Sequence, residues 1–228
     1  VKIHPDTFTI LKHFSRIHKS LTVPAGRVLT TITPQKTVVA RAETPTDFPR
    51  QFSIFDLNRF LSVASLFGPD AEYAFGDEGI DVSEDGRSAT YRYADDAVIK
   101  TKPPQGEIKF PSVDAEFRMS ATEYRTLMKA AGVLGLEQVA VVGDGGATYL
   151  RALDAGNPLA DRFSIRVGDA ERDFVAVIKR ENLDLFPSDY VVTVTRRGMA
   201  RFVGSPVTSW VALESESKFA EEPAPAGA

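Results

Sequence analysis

Apolar residues recur at helical spacing in four short stretches: Phe8 with Leu11, Leu57 with Phe60 and Leu61, Tyr124 with Leu127 and Met128, and Leu183 with Phe186. Side chains three or four apart share one helix face, so each stretch predicts a short helix with a single buried side. After the second helix come AEYAF (71–75), GIDVS (79–83) and SATYRYA (88–94). After the fourth come YVVTVT (190–195), MARFVG (199–204) and TSWVALE (208–214). These β-rich runs, several of them alternating, are separated by turn signals such as Gly76-Asp77-Glu78-Gly79, Glu84-Asp85-Gly86 and Arg197-Gly198. Comparable strands follow the first and third helices, near 20–43 and 137–167. The repeated unit is β-α-β-β-β, used four times.

Between the second and third units lies ADDAVIKTKPPQGEIKFPSV (94–113), which has three prolines and no clear period and reads as a linker. The predicted fold class is therefore α+β, with two similar domains of two units each. The first domain is placed at 1–99, the linker at 100–112 and the second domain at 113–219. The ending AEEPAPAGA (220–228) is too poor in bulky apolar residues to order itself and is predicted to be a disordered tail.

Composition narrows the chemistry. An apolar fraction of 43% with 25% charged residues is that of an ordinary globular protein. No apolar run approaches the ~18 residues of a membrane span, and VKIHPDTFTI lacks the basic-then-apolar layout of a secretory signal. Without cysteine there is no disulfide, thiolate nucleophile or Cys-based zinc site. Asp81-Val-Ser-Glu-Asp85-Gly86 begins like a calcium loop, but the twelfth position is Arg92 where a bidentate glutamate is required, so it reads as a hairpin turn. Gly143-Asp-Gly-Gly146 lacks the Gly-Lys-Ser/Thr ending of a phosphate loop and also reads as a turn. His4, His13 and His18 lack metal-ligand spacing, and no Gly-x-Ser-x-Gly elbow is present. No catalytic residue, metal ligand or cofactor is expected.

Charge is distributed unevenly. On the first helix Ile10, Leu11, Phe14 and Ile17 form the buried side, while Lys12, Arg16 and Lys19 share an outer arc of roughly 60°. His13 is expected to flank that stripe, and His18 to pack at the apolar boundary. The second helix turns Asn58, Arg59, Ser62 and Ser65 outward. The third opens with the capping box Ser120-Ala-Thr-Glu123, buries Tyr124, Leu127, Met128, Ala131 and Leu134, and exposes Thr122, Arg125 and Lys129. The fourth carries Lys179 and Arg180 at its start, offset by Glu181 and Asp184. Residues 68 to 96 hold nine carboxylates against Arg87 and Arg92, so the strands are acidic where the helices are neutral to basic, although the net charge is only -4.

Basic helices, acidic sheets and duplicated units together resemble a DNA polymerase sliding clamp, and most closely the clamps of T4-type bacteriophages. The resemblance rests on DTFTILKHFSRI near the start, FSIFDLNRFLSVASLFGPDAEYAF (52–75), GRSATYRYADDAVI (86–99) and SWVALESESKF (209–219). It spans nearly the whole chain and departs at the linker, at DAGNPLAD (154–161) and at the tail. It implies a homotrimeric ring around double-stranded DNA, loaded by an ATP-driven clamp loader and tethering the replicative DNA polymerase in the host cell cytoplasm. Twelve helices of about 10 Å would close a circle of roughly 120 Å and leave an opening near 30 Å. The DNA-facing set is then Lys12, Arg16, Lys19, Arg59, Arg125, Lys129, Lys179 and Arg180. The subunit joint is assigned to the edge runs Ser88–Tyr93, with Thr90 and Arg92, and Phe163–Val167, with Ile165. The family's pocket for partner tails makes Ile108, Val207 and Trp210 candidates, although Val207 and Trp210 also suit a buried core. Two other readings compete: a protein-binding scaffold with a basic helical face, and a hydrolase with unrecognised catalytic groups.

Overall fold

The first backbone turn of the chain is set by His4, whose Nδ1 accepts the Asp6 amide hydrogen at 3.1 Å while Pro5 occupies the first helical position. Proline fits there because that amide would have no partner in a helix. In this computed structural model, which describes residues 1–220, helix α1 (Pro5–Ile17) follows directly. The rest of the predicted tail lies outside the described residues.

Chain order then gives β1 (Leu21–Val23), β2 (Gly26–Ile32), β3 (Val38–Phe48), β4 (Phe52–Ile54), α2 (Leu57–Ala64), β5 (Glu72–Phe75), β6 (Gly79–Glu84) and β7 (Arg87–Arg92). Residues Val1–Glu107, with Pro206–Thr208, form one compact unit. Within it β2 pairs antiparallel with β3, β1 with β4, and β5, β6 and β7 form a three-stranded meander. Helix α1 buries Ile10, Leu11, Phe14 and Ile17 against β3, and α2 buries Leu57 and Phe60 beneath β7. Phe60 meets the Tyr91 ring edge-on at 5.3 Å. Full burial of such a side chain stabilises by about 1.5–3 kcal/mol, which is why the apolar stripe decides the helix orientation.

The second unit, Ile108–Ser205 with the chain from Ser209 onward, contains β8 (Ala115–Met119), α3 (Ala121–Val133), β9 (Gln138–Asp144), β10 (Ala147–Leu153), β11 (Phe163–Asp169), β12 (Phe174–Lys179), β13 (Tyr190–Thr195), β14 (Met199–Val203), β15 (Val207–Ala212) from Ser209 on, and β16 (Lys218–Phe219). One sheet runs β11-β10-β9-β12-β16; in the other, β13 lies between β8 and β14, with β15 beyond β14. Gly145 and Gly146, with φ of 59° and 83°, turn β9 into β10. The left-handed conformation suits a two-residue hairpin. This is the turn expected of Gly143–Gly146, just as Asp85-Gly86 closes the β6–β7 hairpin.

The repeat is visible as β4-α2-β5-β6-β7, β8-α3-β9-β10-β11 and β12-turn-β13-β14-β15; the first copy starts at α1, without an opening strand. The predicted fold class, α+β with a repeated strand-helix-three-strand unit, is the observed one. Two elements differ: no strand opens the first copy, and the fourth helix is not formed. The fourth helix is a single 3₁₀ turn, Arg180–Leu183, and not a helix through Phe186. Lys179 before it supplies no side-chain cap. Asp184 leaves helical geometry at ψ 79°, and Pro187 disfavours the helical region for Phe186.

The linker is held at both ends. Asp96 accepts from the Thr22 and Ser53 hydroxyls, each at 2.9 Å, and from Lys102 Nζ at 2.5 Å. These donors hold its carboxyl below the usual carboxylate range. Arg41 donates to the Gly106 carbonyl at 3.1 Å. In the second unit, Asp114 accepts from the Arg196 amide and Nε at 2.7 and 2.6 Å, and the Arg201 guanidinium lies 4.8 Å from the centre of the Phe110 ring.

Candidate nucleic-acid interface

Helix α1 presents Lys12 and Arg16 exposed, opposite the buried stripe. Lys19, expected on the same helix face, is exposed but lies past the helix end, because His18 is already extended at φ -150° and ψ 135°. Asp6 in the first turn and Arg16 in the last complement the helix dipole. His13 does not flank the cations in solvent: it is 4% exposed, and its Nδ1 faces Arg16 Nη2 at 3.0 Å. Because a guanidinium only donates, Nδ1 is the acceptor and the ring proton belongs on Nε2. The buried ring fills the boundary between the apolar and basic sides, a place that sequence reasoning gave to His18. His18 is half-buried and accepts the Ser20 amide hydrogen at 3.0 Å.

Helix α2 begins where Asp56 Oδ1 accepts the Arg59 amide hydrogen at 3.0 Å. Arg59, Asn58, Ser62 and Ser65 are exposed. The two serine hydroxyls bond back to the Asn58 and Ser62 carbonyls at 2.9 and 2.7 Å. Arg59 is thus the charged group that α2 offers outward.

Helix α3 carries the predicted capping box, with Ser120 N–H and Oγ both within 2.7 Å of Glu123 Oε2 and Glu123 N–H 3.2 Å from Ser120 Oγ. Arg125 and Lys129 are exposed, and Arg125 leans on the Thr122 hydroxyl at 3.2 Å. Leu127 and Ala131 are buried, but Leu134 is the C-cap residue and is 36% exposed. The helix ends there because Gly135 takes φ 66°, so Leu134 never completes the apolar stripe.

Lys179 and Arg180 do not join the other cations in an open basic face. Lys179 Nζ lies 3.9 Å from Glu214, and Arg180 is half-buried. Both line a cavity of about 860 Å³ with Glu137, Glu181, Asp184 and Glu216. Carboxylates there offset the two cations. The cationic surface is therefore concentrated on α1 and α2 in the first unit, with Arg125 and Lys129 of α3 in the second.

The strands carry the opposite sign: Glu72, Asp77, Glu78, Asp81, Glu84 and Asp85 lie in or between β5, β6 and β7. Strands β7 and β11, the two runs assigned to the subunit joint, are each a sheet edge. On β7, Ser88 and Thr90 are exposed, and Arg92 pairs with Glu78 at 2.6 Å. On β11, Phe163, Ile165 and Val167 are half-buried and alternate with exposed Ser164 and Arg166, so one face is apolar. Of the partner-pocket candidates, Val207 is 1% exposed and belongs to the core, whereas Ile108 and Trp210 are half-buried. Among the described residues no group of His, Asp or Glu is arranged to hold a metal ion. Nor is any helix among them long and apolar enough to cross a membrane.

Repeated strand-helix-three-strand units with cations on the helices and carboxylates on the strands define a protein of the DNA-clamp class. The family described as gp45 sliding clamp, C terminal, matches residues 116–215. The sliding clamp of Vibrio phage KVP40 is 30% identical over 223 residues, covering 94% of this chain and 100% of that protein. The sliding clamp of Enterobacteria phage T4 is 26% identical over 225 residues, covering 95% and 98%. The chain belongs to the sliding-clamp family of T4-type phages. Among solved structures, PCNA of A. fulgidus, bound to the C-terminal region of FEN-1, superposes with a TM-score of 0.66 at 12% identity over 94% of this chain and 96% of that one. The Helicobacter pylori beta clamp bound to a DNA ligase peptide gives 0.69 at 10% identity, over 94% and 65%. These two likenesses establish the shared fold.

Proposed function

We propose that this protein is a phage replication processivity factor: a homotrimeric ring that encircles duplex DNA, is loaded by a clamp loader and tethers the replicative DNA polymerase. The observation that carries the reading is the full-length match to phage sliding clamps, joined to cations exposed on helices of both units. In this reading Lys12, Arg16, Lys19, Arg59, Arg125 and Lys129 face the DNA, while Lys179 and Arg180 contribute less because carboxylates surround them. Lysine and arginine neutralise phosphates without reading bases, so the hold is independent of sequence and weakens with salt. Encirclement, not affinity, keeps the ring on DNA, and the acidic strands repel DNA elsewhere. Each chain brings α1, α2, α3 and the 3₁₀ turn Arg180–Leu183 to the hole, in place of the four helices per chain expected from sequence. The domains are 1–99 and 113–219, joined by 100–112.

A ring of identical chains needs a head-to-tail joint between different surfaces. The free edges of β7 and β11 supply such surfaces, because their outer N–H and C=O groups can continue a neighbour's sheet. No chemical step is assigned: the chain acts by topology and contact, in the cytoplasm of the infected host. Light scattering after size exclusion tests this reading. A mass of three 24.9 kDa chains is expected, together with DNA binding that falls as salt rises. A strict monomer at high concentration would contradict it.

A further inference from the structure

Among the phenylalanine, tyrosine and tryptophan side chains of the described residues, Phe55 alone is exposed: 49% of it is open, while the other rings are buried or half-buried. It stands between the last residue of β4 and Asp56, the cap of α2. Lys19 Nζ lies 4.8 Å from the centre of its ring. The backbone on both sides of this pair is fixed. Ser20 Oγ donates to the Phe55 carbonyl at 2.6 Å, the Leu57 amide donates to the Lys19 carbonyl at 2.7 Å, and Leu21 pairs with Ile54 in the adjoining ladder.

Leaving a phenyl ring in water forfeits the transfer free energy that buries the other rings. The ring is also in unusual company for a protein-docking hot spot, which calls for a surrounding apolar patch. Lys19 lies over the ring and Asp56 follows it in the chain, while Arg59 comes four residues on in α2 and Arg16 precedes Lys19 by three residues in the last turn of α1. A cation over one face of an aromatic ring, with the remainder of the ring open, is a combination that single-stranded nucleic acid uses. The base stacks on the ring, and the cation neutralises the adjacent phosphate. Bases inside a duplex are stacked on each other and offer no free face. The occupant must therefore be unpaired.

We propose that Phe55 and Lys19 form a stacking platform for an unpaired base of a DNA strand, engaged where duplex gives way to single strand. This rests on the reading of α1 and α2 as DNA-facing, and deepens it: the first unit holds a site that distinguishes a junction from uninterrupted duplex. Arg16 and Arg59 hold the flanking phosphates, and the ring recognises any base, because each has a π-face.

Photocrosslinking tests it with the full chain and short DNA carrying one 5-iododeoxyuridine, placed either in a single-stranded arm or inside the duplex. The expected result is an adduct mapped by mass spectrometry to Phe55 with the arm probe and not with the duplex probe. Phe55→Leu should abolish that adduct and weaken binding of the tailed DNA about tenfold relative to blunt duplex, as loss of one stacked base implies. If DNA binds in a salt-sensitive way and crosslinks elsewhere but never at Phe55, the platform is wrong and the DNA-facing assignment stands. An equal adduct from the duplex probe also overturns the preference for unpaired bases. If no DNA binds at low salt, both the platform and the DNA-facing reading fall. Mapping adducts on the unsubstituted chain keeps the test independent of how the variant folds.

Discussion

The two units start from the same repeat and end with different helical layers. In the first, α1 and α2 are both true helices. In the second, α3 is followed by one 3₁₀ turn. The apolar spacing of Leu57-Phe60 and Leu183-Phe186 is the same, so periodicity cannot separate them. What separates them is what the backbone can bond to. Asp56 caps α2, whereas Lys179 gives no cap, and Pro187 stops the chain after a few residues. A side chain also replaces the missing helical bonds: Tyr124 Oη donates to the Leu183 carbonyl and accepts the Leu185 amide hydrogen at 3.3 Å. The position matching Tyr124 in the repeat of the first unit is Phe8, which has no hydroxyl. A short helix is thus decided as much by caps and by what a neighbouring side chain offers as by its apolar stripe. The second consequence is electrostatic. With a turn in place of a helix, Lys179 and Arg180 fall among carboxylates and not on an open basic face.

The free sheet edges should give the largest effect. Ile165→Pro in β11 is expected to convert trimer to monomer while circular dichroism shows the chain still folded, because proline removes a ladder donor. If the variant elutes as a trimer at low micromolar concentration, β11 is not the joint.

Core truncation should then separate helix from turn. Phe60→Ala in α2 is expected to cost about 3–5 kcal/mol and Leu183→Ala in the turn about 2–5 kcal/mol in chemical denaturation. A larger cost for Leu183→Ala than for Phe60→Ala would show that the turn holds its unit as firmly as α2 holds the first.

Charge removal sharpens the electrostatic half. Lys12, Arg16 and Arg59 changed together to alanine should leave the trimer intact and flatten the salt dependence of DNA binding, by about one unit of slope for each phosphate no longer neutralised. Changing Lys179 and Arg180 should move it much less. Equal effects would mean that the carboxylates around Arg180 do not offset it.

Two smaller effects follow. Tyr124→Phe should cost about 1 kcal/mol by removing the hydroxyl that donates to the Leu183 carbonyl, while the Leu185 amide keeps its 2.9 Å bond to that carbonyl. At Asp96 the folded pKa is depressed below 3.8 by Lys102, Ser53 and Thr22. The stability it contributes is therefore present above the ordinary carboxylate range and lost as pH falls through the lower folded value. Asp96→Asn should lower the melting temperature slightly near neutrality, where the charged carboxylate contributes, and the difference from wild type should vanish as pH falls below about 4; the effect is small because the group is partly exposed to solvent screening. An unchanged acid limb would remove Asp96 from the account.

Much of this was legible beforehand. The strands after α2, the Gly145-Gly146 hairpin, the Ser120–Glu123 capping box and the outward cations of α1 follow from local rules of period, turn and cap. The burial of His13 was not, because its 100° step places it at the edge of the stripe and Arg16 draws its ring inward. Nor was the exposure of Leu134, where Gly135 ended the helix one residue before the stripe could use it. The Phe55–Lys19 pair depends on a junction between residues distant in sequence, and no periodicity records that. Val207 was readable as core from its alternating strand, and it is core.

The central claim is that the ring holds DNA by enclosing it. It is tested most directly by loading the protein with a phage clamp loader and ATP onto nicked circular DNA, then cutting the circle once. Retention on the closed circle and rapid loss after linearisation are predicted. Equal retention on circle and linear DNA would mean that affinity, and not enclosure, holds the protein there.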